Sequence, residues 1–296
     1  MFRRKRLLLV VLLAVAAACF ASLGQEKILY ERQSAYNTIL VTEDGRGMRT
    51  LYFERGGVRQ SVVKPDDPDL IELAYARAMP VGLAFVEEPR RVLIIGLGGG
   101  TIPSFLHKHY PQTIIDVVDI DPEVVAVAKQ FFGFREDALM KAYVQDGRRF
   151  VERCRSRYDI VFLDAFGPDS IPYHLATREF LTAVRGILAP GGIVVGNVWS
   201  RSSNRLYDSM ILTYQDVFEA VYILDVRGAG NKIIFGLPRA QPVDRLELAR
   251  RASRISRTRR FPFDMGEAVL YGFHAAAEEI LRGTVLRDRV EAPSPR

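Results

Sequence analysis

The stretch Val92–Gly100, VLIIGLGGG, decides the fold. An aliphatic run ends on a glycine-rich turn, and Thr101-Ile102-Pro103 opens a helix with proline in its first turn, where a missing amide costs nothing. Strand, glycine turn and helix in that order let backbone approach a bound group while the helix N-terminus faces it. Three similar runs follow: IIDVVD (114–119), YDIVFLD (158–164) and GIVVGN (192–197). Each is short, apolar and rich in β-branched residues, and helical stretches such as 122–132 and 177–188 separate them. Continuous apolar strands alternating with helices imply a parallel sheet covered on both faces.

Outward from this centre the pattern changes. Residues 26–63 hold short alternating runs, TILVT and TLYFE, broken at Asp44-Gly45 and Gly56-Gly57, and read as an antiparallel β element. KPDDPD (64–69) is a loop, with Pro68 early in a helix running to about Phe85. VYILDV and KIIFGL, joined by Arg227-Gly-Ala-Gly-Asn231, form a hairpin expected to close the sheet edge. Helices are expected near 244–257 and 267–281. The fold class is α/β: a small N-terminal antiparallel β element, then a Rossmann-type, mainly parallel sheet with a C-terminal antiparallel hairpin. The domains read as a leader (1–24), a β domain (26–63), a Rossmann-like domain (64–285) and a tail (286–296) ending in EAPSPR.

The strand ends carry the chemistry. Gly96, Gly98 and Gly100 form the turn, and Asp119 ends the second strand, where an acid can accept both ribose hydroxyls of a nucleoside. Asp146-Gly147 ends the third, where a carboxylate can accept the exocyclic amine of adenine. Glycine turn, ribose acid and base-reading acid on successive strand ends describe an adenosine site. Asp164 ends the fourth strand, where the reactive end of that adenosine should point. There it could bind a cationic amine and take its proton, because an ammonium is no nucleophile until it is deprotonated. Tyr173 and His174 share the loop after it; Tyr173 is a candidate substrate contact.

Composition excludes several classes. The net charge of +6 is uneven: Arg3, Arg4, Lys5 and Arg6 sit at the start, and Arg250, Arg251, Arg254, Arg257, Arg259 and Arg260 in one late stretch. The remainder carries 31 basic against 35 acidic residues, so a general nucleic-acid-binding surface is not expected. Around the late arginines Leu248, Ala252 and Ile255 keep helical spacing, which fits a solvated basic face or contact with an anionic membrane. Cys19 and Cys154 make no disulfide framework, and the four histidines form no zinc pattern, so no metal is expected.

FRRKR (2–6) precedes an apolar run from Leu7 to Gly24. This describes a secretory signal, cleavable after Ala21, or an uncleaved anchor associating with the membrane through residues 7–24; Ala16–Cys19 is a poor lipoprotein site. By the positive-inside rule the body would be exported or anchored to an inner membrane on its periplasmic side.

The order VLIIGLGGG, VVDIDPEVVAVAK, VQDG, YDIVFLDAF and LAPGGIVV resembles the spermidine synthase (polyamine aminopropyltransferase) family over roughly residues 30–237. DAF-x-x-D-x-IP-x-HL-x-TRE is closer to its exported or membrane-associated bacterial branch. The resemblance implies a small β domain ahead of a methyltransferase-type sheet, and transfer of an aminopropyl group from decarboxylated S-adenosylmethionine to a polyamine-type amine. It implies that Asp119 holds the ribose, Asp146 the adenine and Gln60 the donor, and that Asp164 deprotonates the amine. Asp169 and Tyr75 would contact the substrate, and a homodimer is expected. Three departures stand out. Gly99 replaces the acid of the family's glycine loop, Gly167 replaces the second acid of its D-x-x-D-P loop, and Glu72-Leu73-Ala74 stands where the family has Y-H-E. Two other readings remain open at this level: a methyltransferase using intact S-adenosylmethionine, and an exported, non-catalytic binder of a nucleoside or polyamine.

Overall fold

The computed structural model describes residues 26–167 and 171–288, so the leader, Asp169 and EAPSPR lie outside the described residues. Strands β1 (Lys27–Gln33), β2 (Thr38–Glu43), β3 (Arg49–Tyr52) and β4 (Arg59–Val63) form an antiparallel sheet in sequential order. The second sheet contains β5 (Arg91–Ile95), β6 (Ile114–Asp119), β7 (Met140–Val144), β8 (Tyr158–Leu163), β9 (Leu188–Trp199), β10 (Ala220–Asp225), β11 (Asn231–Leu237) and β12 (Phe273–Ala275). Its order is β12-β10-β11-β9-β8-β5-β6-β7. The five strands from β9 to β7 are parallel, and β11, β10 and β12 add antiparallel partners. The chain leaves β5 towards β6 on one side and later returns through β8 on the other. That reversal of strand order opens a crevice at the carboxyl ends of β5 and β8, the usual place for a ligand in an open α/β sheet.

Apolar residues of β5, β6 and β8 face alternately to the two sides of this sheet. Val92, Ile94, Val117, Ile160 and Phe162 pack with the helices Thr101–His109 and Pro122–Phe131 and with Ile39, Val41 and Leu51 of the small sheet. Leu93, Ile95, Val118 and Val161 pack with the helices Arg178–Gly186 and Tyr207–Val217. The small sheet therefore shares a core with the larger one. Polar ties reinforce the join: Ser34 Oγ donates to Asp121, and Tyr30 donates to Glu123.

Four boundaries differ from expectation. The α-helix after KPDDPD spans only Ala74–Ala78, and Met79–Ala84 continues as a 3-10 segment. Leu73 is still extended, and Pro80 cannot donate the amide that an α-helix would need. The helix expected over 267–281 is Met265–Gly272. There the chain passes so close to Asp225 that a Cβ on Gly272 would lie 2.6 Å from its Cβ, and Phe273–Ala275 turns extended to form β12. The Arg227–Asn231 hairpin forms, but β12 pairs with β10 and takes the edge from it, satisfying amides that an edge strand would leave open.

The tail expected from 286 is packed up to residue 288. Leu286 is buried, its amide donates to Thr213 Oγ1 at 2.9 Å, and its carbonyl accepts from Arg178 at 2.8 Å. Asp288 accepts two bonds from the Arg148 guanidinium at 2.7 and 2.5 Å. On the Arg-rich helix Arg245–Thr258, Leu248, Ala252 and Ile255 are buried, while Arg251 and Arg254 reach Glu87. Its basic residues are thus partly spent within the molecule.

Candidate active site

The carboxyl ends of β5, β6 and β8 and the turn after β7 converge on one cleft, with a cavity volume of about 100 Å³, lined by Gly96, Gly98, Asp119, Asp146, Gly147 and Asp164 among others. Gln60 and Tyr75 line it from the side of the small sheet, and the Tyr75 hydroxyl donates to the Gln60 carbonyl at 3.0 Å.

The glycines differ in their work. Gly96 has φ +100°, and a Cβ there would stand 2.3 Å from the carbonyl oxygen of Asp164. Only glycine adopts that backbone and permits that approach, which locks the end of β5 against the end of β8. Gly98 (φ +52°) faces the cleft, with Ser61 behind it. Gly100, expected among the cofactor contacts, does not line the cleft. In the left-handed conformation it caps Thr101–His109 and packs on Phe134, turned away from the crevice. Gly147 does line it, and a Cβ there would meet Ile95 at 2.5 Å.

Asp119 sits at the tip of β6. Its Oδ2 accepts the Leu97 amide at 2.8 Å and its Oδ1 the Asp121 amide at 2.9 Å. The Gly98 amide is a third donor to it, so of about four acceptor positions on the carboxylate roughly one stays open to the cleft. Burial pushes its pKa up to about 6, against the pull of the backbone amides of Asp121, Leu97 and Gly98. Asp146 caps the helix Gly147–Arg153 through Oδ1, and its Oδ2 meets His174 Nε2 at 2.9 Å. His174 is thereby held at the edge of the cleft beside Asp146.

Asp164 lies beyond the glycine turn, and burial pushes its carboxyl up to about 7. Asn197, on β9, donates Nδ2 to its Oδ1 at 2.8 Å and opposes that rise; Asn231 on β11 donates to Asn197 Oδ1 at 2.9 Å. Two amides on neighbouring strands thus fix one carboxylate. Burial and the charge of Asp164 hold the Tyr75 phenol well above its usual pKa, so Tyr75 remains a neutral donor.

Tyr173 is not brought into the cleft: its hydroxyl donates to the Arg287 carbonyl at 2.9 Å, tying the loop to the C-terminal segment instead. His174 beside it takes the inward position. Two residues of the site carried little signal in the sequence. Asn197 read only as a strand end. Asn37 is a turn residue before β2, yet it lines the cleft with its amide oxygen buried and without a partner among the described residues, an acceptor left open there. Where the family has an acid in the glycine loop, the Gly99 amide donates to Ser61 Oγ at 2.8 Å. A Cβ there would lie 2.7 Å from Ser61 and 2.8 Å from Phe132, so the space for a longer side chain is filled.

Residues 72–218 match the spermine/spermidine synthase domain. A polyamine aminopropyltransferase of Vibrio vulnificus is 36% identical over 228 residues, which cover 75% of this chain and 75% of the relative. The chain belongs to the spermidine synthase family. A probable spermidine synthase from Corynebacterium glutamicum superposes with a TM-score of 0.71 at 22% identity, over 90% of this chain and 99% of that one. At that identity the likeness speaks for the fold, and the β element followed by a methyltransferase-type sheet agrees with the family's frame. Human methyltransferase-like protein 13, solved in complex with SAH, is 32% identical with a TM-score of 0.59, over 64% of this chain and 94% of that one.

Proposed function

We propose that this protein transfers an aminopropyl group from decarboxylated S-adenosylmethionine to an amine of the polyamine type. The observation that carries the reading is the placement of Asp164: a carboxyl near neutrality, oriented by Asn197, next to an adenosine-shaped set of groups. Asp119 accepts the ribose hydroxyls, and Asp146 with His174 lies at the base end. Asn37 and Gln60 supply polar contacts from the small sheet. Asp164 takes the proton of the incoming ammonium. The freed nitrogen attacks the carbon next to the sulfonium, the C–N bond forms as the C–S bond breaks, and the electron pair returns to sulfur, giving methylthioadenosine. Family membership favours this enzymatic reading over a non-catalytic carrier.

Methyl transfer from intact S-adenosylmethionine is the second reading, favoured by the likeness to methyltransferase-like protein 13. Calorimetric titration with the decarboxylated donor, S-adenosylmethionine, methylthioadenosine and S-adenosylhomocysteine separates the two. Tighter binding of the decarboxylated donor and methylthioadenosine, with methylthioadenosine released when putrescine is added, supports aminopropyl transfer. Preference for the carboxylate-bearing pair supports methyl transfer.

Among the described residues no helix is long and apolar enough to cross a membrane. From the charge pattern of residues 2–24 we propose that the body is exported or anchored facing the periplasm. A reporter that is active only outside the cytoplasm, fused after residue 288, tests this, and an inactive fusion would place the body inside.

A further inference from the structure

Beside the donor cleft lies a second one, with a cavity volume of about 420 Å³; Gln60, Tyr75 and Phe166 line both, so the two meet above Asp164 and Asn197. An acceptor amine reaching Asp164 from this side lies along the second cleft. Among the described residues its outer charges are Arg59, Arg77 and Arg227 against a single acid, Glu72. Glu72 is itself shared, with Arg59 Nη1 at 3.9 Å. Arg227 has no carboxylate partner among the described residues, and its guanidinium lies 4.5 Å over the Tyr271 ring. Arg77 is partly spent on the carbonyls of Ile71 and Glu72, but its charge remains. Phe166 and Trp199 stack at 5.5 Å and give the second cleft an apolar wall.

A diamine has an ammonium at each end. With one end on Asp164, its second charge would stand among arginines, where like charges repel and, among the described residues, no paired carboxylates offset the loss of water. We propose that the acceptor is an aliphatic amine carrying a carboxylate or phosphate at its other end, the amine on Asp164, the chain along Phe166 and Trp199, and the anion on Arg59 and Arg227. This rests on the aminopropyl-transfer reading and replaces its polyamine-type acceptor with an anionic amine. The step itself is unchanged: the acceptor nitrogen gives one proton to Asp164, bonds to the donor carbon and releases methylthioadenosine.

The test measures methylthioadenosine release by the purified protein from decarboxylated S-adenosylmethionine with putrescine, 4-aminobutanoate or 4-aminobutylphosphonate. Either anionic amine should have a KM at least roughly tenfold below that of putrescine, the scale on which a charge-assisted hydrogen bond replaces a repulsion. Arg59→Gln and Arg227→Gln should each raise the anionic amines' KM about three- to tenfold, leave the KM of the nucleoside donor alone, and bring putrescine closer to parity. Turnover with putrescine alone, or arginine variants that do not alter the ranking, overturns the anionic acceptor and leaves aminopropyl transfer standing. Absence of methylthioadenosine with every amine overturns aminopropyl transfer and this inference with it.

Discussion

Asn197 holds Asp164 by a 2.8 Å hydrogen bond while its own side-chain oxygen is held by Asn231. The carboxylate on β8 is therefore oriented from two other strands, and the amide at the middle of the relay is buried. Donation to a carboxylate favours its charged form, so Asn197 moderates the upward push of burial on Asp164. It acts as a positioning residue.

Replacing it exposes that role. Asn197→Leu leaves Asp164 without its donor, and the acid limb of the kcat–pH profile should move up by roughly one unit. Above the limb kcat should recover most of its value. A limb that stays in place would mean that the bond does not tune Asp164.

Asp164→Asn should reduce turnover by roughly 10²–10⁴-fold, the usual worth of a positioned general base. Methylthioadenosine affinity should stay within about threefold by calorimetry, on the scale of one weak neutral contact. In the unmodified protein, turnover should rise as pH passes about 7, where this carboxyl ionises.

The same substitution has a stability signature. A carboxyl raised on folding stabilises the protein below its unfolded pKa, and that contribution fades as pH rises through about 7. Asp164→Asn should therefore stabilise the ligand-free protein at pH 8, by roughly 1–3 kcal/mol, and change little at pH 4. Urea denaturation at the two pH values checks the sign, and destabilisation confined to pH 8 would contradict it.

Asp119→Ala should weaken methylthioadenosine binding about tenfold or more, as the loss of charge-assisted bonds to a diol requires. Unchanged affinity would move the ribose elsewhere. Part of any stability loss would come from the amides of Leu97 and Asp121, so binding must be read on folded protein.

Gly96→Ala puts a methyl 2.3 Å from the Asp164 carbonyl on a backbone with φ +100°. A cost of roughly 2–4 kcal/mol is expected from the combined strain and clash, measured as a drop in the denaturation midpoint. A neutral substitution would show that the close approach of β5 and β8 is dispensable.

The central strands were legible because β5, β6 and β8 are buried on both faces and so read as unbroken apolar runs. Asp119 and Asp164 were legible because each ends such a run, and Asp146 because Gly147 follows it where a third strand was expected to end. What escaped depended on long-range geometry. Asn37 and Asn197 join the cleft only through the docking of the small sheet and the register of β9. β12 is three residues long and follows a helix directly, so no period betrays it. Tyr173 and His174 are adjacent, and nothing in the sequence tells which faces inward. Gly100 shares the composition of Gly98 but not its side of the turn. The packed residues 286–288 find their partners on Arg148, Arg178 and Thr213, far away along the chain.

Those last contacts bind the far end of the described chain to the rim of the cleft. Arg148 lies in the first turn of the helix that Asp146 caps, and Tyr173 donates its hydroxyl to the Arg287 carbonyl, so residues 171–175 beside the cleft are moored to some of the last described residues. The described acids of the cleft all lie before residue 165, whereas the ties on Tyr173 and Arg148 need residues 287 and 288. A chain cut before residue 286 would keep every one of those acids in its sequence and lose the ties on Arg148, Tyr173 and Thr213.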